Sequence, residues 1–354
     1  METRYWRLAG DPADEKALTE AAALIRQGEV VAFPTETVYG LGANGLDAAA
    51  VRKIFAAKGR PADNPLILHV ASLQQAKSLV REVGSTAERL MNVFWPGPMT
   101  LVLKKADGIP DCVTAGLDTV GVRWPDHAAA QELIRLARVP IAAPSANLSG
   151  RPSPTDAQEV LADMAGAIAG VLDGGSTAVG VESTVIDCTG AVPVILRPGG
   201  ITLEELEEEV GVVELDPALS GSKTAKPRAP GMKYRHYAPK APLWVVEGEG
   251  AAECLVKEAQ KQLQAGHCVG ALVSEETARH LPAGVIAMTY GARGDAQALA
   301  ETLYRFLRAF DKTPADWLLA EGVGEAGIGL AAMNRLRKAA GWQLITAGHA
   351  GQRA

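Results

Sequence analysis

The feature that most constrains this chain is a regular alternation of short apolar runs with capped, helix-periodic segments. Leu18, Ala21, Ala22, Leu24 and Ile25 recur at helical spacing, and Gly28 stands where a left-handed cap would end that helix. Residues 29–33 then read as a strand. Asp47 is placed to cap a helix through Ala57, 66–70 is strand-like, and Ser72 opens a helix carrying Leu73, Ala76, Leu79 and Val80. Further strands are predicted at 100–103, 120–124, 140–143, 184–187 and 194–196, with helices from Asp126 and Thr155 between them. Several of these strands are apolar on both faces, so both faces must be covered, and the fold class is α/β with a twisted mixed or parallel sheet.

At 354 residues the chain is long for one domain and suggests two. Its character changes after Val213. Residues 217–242 hold five prolines, six Lys or Arg and no acid, a linker by composition. Either it is a solvated tether or, with Tyr234 and Tyr237, a segment that folds over an anionic ligand. Strands at 243–246, 269–274, 285–289 and 317–320 follow, separated by helical stretches. The expected organisation is a domain at 1–213, a linker at 214–242 and a smaller α/β domain at 243–347.

Composition narrows the function. With 47% hydrophobic and 21% charged residues the chain can fill a core. The formal net charge of −6 argues against a surface that holds nucleic acid by phosphate neutralisation alone. The absence of an apolar run of membrane-spanning length argues against a spanning helix, and the N-terminal residues lack the basic-then-apolar pattern of a secretory leader. Cys112, Cys188, Cys254 and Cys268 form no CxxC pair, so a thiolate metal site or disulfide framework is not expected. The cytoplasm is the expected compartment.

The segment richest in chemistry is 33–70. If residues 34–38 are extended, Thr35 and Thr37 present hydroxyls to one side and Glu36 faces the other. Gly40 and Gly42 suit either close approach to a ligand or a bend between elements. Lys58 and Arg60 flank Gly59; in an extended chain both cations would point into one space, as a polyphosphate requires, although a solvated helix end is the plainer reading. His69 shares a strand face with Ile67 and reads as structural as readily as functional. In 142–154, Ser145 and Asn147 are again two apart after a strand of small residues, either a Ser-Pro turn or a hydroxyl and amide for phosphate or adenine. In an open parallel sheet such groups would sit at the carboxyl ends of strands. Ser183 at a strand start and Arg197 at a strand end, before Pro-Gly-Gly, match the same pattern.

Signatures of serine hydrolases, zinc metallohydrolases, P-loop enzymes and kinases are missing. Gly322, Gly324 and Gly327 form a GxGxxG between a predicted strand and helix. A dinucleotide site also needs an acid about 20 positions on, and nothing acidic follows Glu325.

Together, PTETVYGLGAN, KGRPADNPLILHV, WPGPMTLVL, GVRWP, APSANLSGRPSPT, GVESTVID, ILRPGG and APGMKYRHYAP resemble the threonylcarbamoyl-AMP synthase family in its long two-domain form, and GIGLAAMNRLRKAA resembles the end of its smaller, Rossmann-like C-terminal domain. The resemblance implies a YrdC-like first domain that converts L-threonine, bicarbonate or carbon dioxide, and ATP, with Mg2+, into threonylcarbamoyl-adenylate and pyrophosphate. The product would pass to a tRNA threonylcarbamoyl transferase; direct tRNA binding would be weak and no membrane is involved. By resemblance, Thr37, His69, Arg123, Ala143 through its backbone, and Ser183 fall at threonine positions. Arg60, Asn64, Thr119, Ser145, Asn147, Ser153, Arg197 and His236 fall at ATP positions, and Lys58 with Arg60 at catalytic ones. Gly45 stands where the family pattern suggests alanine, which should affect only local backbone freedom. The linker would be a lid bearing Tyr234 and His236. A non-catalytic RNA-binding module and a nicotinamide enzyme are the competing classes.

Overall fold

The computed structural model describes residues 2–10, 13–220, 228, 230 and 236–348. The chain divides into two compact units, one formed by 1–149 and 153–234, the other by 150–152 and 235–354.

The first unit is built on one mixed sheet. In chain order its strands are β1 (Arg4–Arg7), β2 (Val31–Phe33), β3 (Gly40–Asn44), β4 (Ile67–His69), β5 (Met99–Lys104), β6 (Thr119–Arg123), β7 (Ile141–Ala143), β8 (Gly170–Asp173), β9 (Thr184–Asp187), β10 (Val194–Arg197) and β11 (Glu214–Leu215). They lie in the order β1-β8-β2-β3-β7-β4-β6-β5-β9-β10-β11. β4 and β6 run parallel, as do β5 and β9, whereas β7, β5 and β10 run antiparallel to β4, β6 and β9. Because β11 pairs with β10, the boundary expected after Val213 falls inside this sheet.

Alternation puts successive side chains into two cores. Val31, Phe33, Ile141 and Ala143 pack with the helices Ala13–Arg26 and Ala128–Ala137, while Ala32, Leu68 and Ala142 face the other, larger core. Capping follows the sequence closely. Asp47 Oδ1 accepts from the Ala49 amide at 2.8 Å to start the helix Ala48–Lys58, and Gly59, at φ 60°, ends it. The sequence reading missed β1, β3, β8 and β11 and the helices Ser85–Phe94 and Leu203–Val210. It also placed the starts of Ala128–Ala137 and Ala157–Met164 two residues early.

In the second unit, β12 (Leu243–Glu247), β13 (Val269–Val273), β14 (Ile286–Thr289), β15 (Trp317–Glu321) and β16 (Leu344–Thr346) make an all-parallel sheet in the order β14-β13-β15-β12-β16, flanked by helices. Among the described residues no helix is long and apolar enough to cross a membrane.

Candidate functional site

Register decides which side chains share a surface. Ala143 pairs with Ile67, Ile67 with Gly121, Gly121 with Val102, and Thr100 with Val185. Cross-strand partners and residues two apart lie on one face, so Ala143, Ile67, His69, Thr119, Gly121, Arg123, Thr100 and Val185 all belong to the same face of the sheet. A small concavity lies on it, lined by Pro65, Ile67, Thr100, Thr119, Gly121 and Val185 and bordered by Arg228 and Pro230. The sheet is mixed, so the candidate residues, with His69 and Arg123 at the carboxyl ends of the parallel β4 and β6, spread across one face and the loops at its rim.

His69 and Arg123 are register partners at the ends of β4 and β6, both buried. Burial, then the Arg123 charge, push the His69 pKa down to about 3, and Nδ1 lies 3.3 Å from the Ile67 carbonyl. A neutral imidazole therefore stands beside a cation.

The segment 34–38 is not extended. β2 and β3 form an antiparallel hairpin with 34–39 as its connection, so the bend reading applies. Thr35 Oγ1 accepts from the amides of Thr37 and Val38 at 3.2 and 3.3 Å, a turn that brings the Thr37 hydroxyl to 2.9 Å from its own. Gly40 and Gly42 belong to β3; a Cβ at either would stand 2.9 or 2.7 Å from the Phe33 ring. Their purpose is to seat Phe33, whose ring meets His69 edge-on.

Gly59 is left-handed, so the premise that Lys58 and Arg60 project from an extended chain fails. Lys58 is buried, and its Nζ donates to the carbonyls of Ser145 and Asn147 at 2.5 and 2.6 Å. Arg60 Nη2 donates to the carbonyls of Asn64 and Pro65 at 3.3 and 3.2 Å. In the loop that Lys58 holds, Ser145 Oγ donates to Asn147 Oδ1 at 2.5 Å.

At the other end of the face, Arg197 is buried and its guanidinium donates to the Ser183 carbonyl and hydroxyl at 3.0 and 3.1 Å. Thr100 Oγ1 lies 2.8 Å from Ser183 Oγ, and Ser153 donates to Glu182 at 2.7 Å. Of the linker, Pro230 accepts from Arg197 Nη1 at 3.3 Å, while Arg228 pairs with Asp187 and Asp216 at 2.7 and 2.5 Å. Tyr234 lies outside the described residues. His236 belongs to the second unit, where its ring is 5.4 Å from that of Tyr237, itself stacked on Tyr304. The structure thus brings together Thr119, His69, Arg123 and Ala143 on the face, with Lys58, Ser145 and Asn147, and Ser183 and Arg197, as hydrogen-bonded groups. Sequence reading missed Glu36, Thr100 and Glu182 as partners of Arg123, Ser183 and Ser153; partners distant in sequence leave no local signal.

The GxGxxG does lie between β15 and the helix Gly329–Ala339. However, β15 is the fourth strand of its sheet, with only β16 after it.

Fold and site define a two-unit α/β protein whose first unit gathers buried cations and hydroxyls on one sheet face and in the loops at its rim. Residues 23–199 match the family described as "Telomere recombination", and 201–341 match "Threonylcarbamoyl-AMP synthase, C-terminal domain". The chain is 49% identical to the threonylcarbamoyl-AMP synthase of Bacillus subtilis, over 98% of this chain and 100% of that one. It is 50% identical to that of Pyrococcus abyssi, over 94% and 96%. It superposes on the crystal structure of P. abyssi Sua5 complexed with L-threonine with a TM-score of 0.92 at 48% identity, covering 98% of this chain and 100% of that one. The chain belongs to the threonylcarbamoyl-AMP synthase family.

Proposed function

We propose that this protein is an L-threonylcarbamoyladenylate synthase, converting L-threonine, bicarbonate or carbon dioxide, and ATP into threonylcarbamoyl-AMP and pyrophosphate. The observation that carries the reading is likeness along the whole chain to synthases of that name, including one crystallised with L-threonine.

In this reading Thr37, His69, Arg123, the Ala143 backbone and Ser183 receive threonine. Arg60, Asn64, Thr119, Ser145, Asn147, Ser153, Arg197 and His236 receive ATP. The amine adds to carbon dioxide, and a carbamate oxygen then attacks the α-phosphorus as pyrophosphate leaves. No covalent nucleophile is required. Negative charge builds on phosphate oxygens, so preorganised donors matter most. Arg60 and Arg197 supply charge directly, and Lys58 acts by fixing the Ser145–Asn147 loop. A neutral His69 can accept a hydrogen bond from the threonine hydroxyl without adding a second cation beside Arg123. Mg2+ belongs to the ATP: among the described residues no three His, Cys, Asp or Glu side chains cluster to cage a metal, and Mg2+ is commonly held by phosphates and water with few protein ligands. It would supply neutralisation of phosphate charge. The linker segment carrying Arg228 and Pro230 acts as a lid that limits loss of the carbamate to water. The product passes to a tRNA threonylcarbamoyl transferase in the cytoplasm, with at most weak tRNA binding by this chain.

Pyrophosphate release from ATP tests this reading. It should require both L-threonine and bicarbonate; equal release with threonine omitted refutes the assignment.

A further inference from the structure

Glu36 is a buried carboxylate to which the reading above gives no task. Its side chain is 11% exposed and that of Arg123 5%, and its Oε1 lies 2.7 Å from Arg123 Nη2. Both Glu36 carboxylate oxygens are sealed from solvent and make no well-aligned hydrogen bond, nor do Nε and Nη2 of Arg123. The backbone of Glu36 is fixed separately, its carbonyl accepting from the Val179 amide at 2.9 Å. The carboxylate is thus delivered by the β2–β3 connection to the end of β6, where it meets the cation but not the solvent.

Burying a charge pair costs desolvation that mutual attraction only partly returns, so its presence on the site face asks for a reason. His69, the register partner of Arg123, is neutral and offers no counter-charge. A guanidinium is a planar fork that recognises a carboxylate only in the right orientation. A charge contact at one nitrogen restrains that plane. We infer that Glu36 is a positioning residue for the amino-acid substrate: it orients the Arg123 guanidinium so that Nη1 meets the α-carboxylate of L-threonine. Because its own oxygens are closed off, Glu36 acts through Arg123 and does not touch the substrate. The inference rests on threonine being the substrate of this site.

The experiment compares Glu36→Gln with the unsubstituted full chain, using pyrophosphate release with either L-threonine or L-threoninamide, which keeps the amine and hydroxyl but lacks the α-carboxylate. The expected result is a KM for threonine raised about tenfold or more, a KM for threoninamide within about twofold, an unchanged KM for ATP, and kcat at saturating threonine largely kept. The preference for threonine over its amide should therefore collapse, as it should in Arg123→Lys. An equal rise for both amines, a parallel rise for ATP, or no change overturns the inference, since a purely structural pair cannot single out the carboxylate. If Glu36→Gln does not fold, Glu36→Asp is held to the same criteria. Failure of the unsubstituted protein to release pyrophosphate in response to threonine would overturn the substrate reading itself, and is told apart by appearing without any substitution.

Discussion

Replacing Lys58 by methionine keeps the apolar stem and deletes the ammonium, isolating what that charge does. In the folded chain Nζ donates to the carbonyls of Ser145 and Asn147, 2.5 and 2.6 Å away, and the side chain is buried. Hydrogen bonds from a charged donor contribute about 1.5–3 kcal/mol each, and carbonyls left unpaired in a buried site carry their own desolvation cost. Part is returned because an ammonium no longer has to be buried. A net loss of about 3 kcal/mol is expected, or roughly 6–12 °C in Tm for a unit of this size. The loop carrying Ser145 and Asn147 loses its anchor, and misplacement by about 1 Å can cost on the order of 100-fold in rate. Thermal unfolding read beside pyrophosphate release should therefore show both quantities falling together. Lost turnover with an unmoved Tm would mean that Lys58 acts on the substrate and not on the loop. Wild-type values of both would show that the Lys58 ammonium anchors nothing.

Three other perturbations follow from the same geometry. Gly45→Ala should destabilise by about 1–3 kcal/mol in chemical denaturation, because the added Cβ would stand 2.5 Å from Leu68 Cδ2 and 2.9 Å from the Pro140 carbonyl; a neutral result would show the loop gives way freely. His69 has its pKa depressed from the usual 6.5 to about 3, so the unfolded chain takes up its proton first. Stability should accordingly fall as pH drops from about 6.5 toward 3, by up to roughly 4–5 kcal/mol, and His69→Gln should flatten that limb in urea melts across pH; superimposable profiles would contradict the neutral imidazole. Arg228→Ala removes two internal ion pairs from a half-exposed side chain, so a loss of about 1 kcal/mol of stability, or roughly 2–4 °C in Tm, is expected; an unmoved Tm in thermal unfolding would show that these pairs do not hold this part of the linker.

What could be read from the chain beforehand was local. Caps such as Asp47 and Gly59, and the strands at β4, β5, β6, β9 and β10, announce themselves through residue type and period. β3 was hidden because its glycines read as a turn, whereas they are small to admit the Phe33 ring, a partner in the neighbouring strand. Gly45 reads locally as a matter of backbone freedom alone, yet its lack of a side chain serves contact with Leu68 and Pro140, a long-range cause with no local trace. The candidate residues were legible one motif at a time, but their common surface depends on the register of a mixed sheet. The pairing of Glu36 with Arg123, and of Lys58 with the loop after β7, likewise joins segments that spacing cannot connect.

In the proposed reaction the carbamoyl carbon comes from bicarbonate and the adenylyl group from ATP. Incubating the protein with ATP, L-threonine and 13C-bicarbonate and following the adenylate product by mass spectrometry tests it directly. The expected product is a threonylcarbamoyl-adenylate heavier by one mass unit, formed in step with pyrophosphate. An adenylate lacking the label, or threonyl-adenylate without the added carbon, would contradict it.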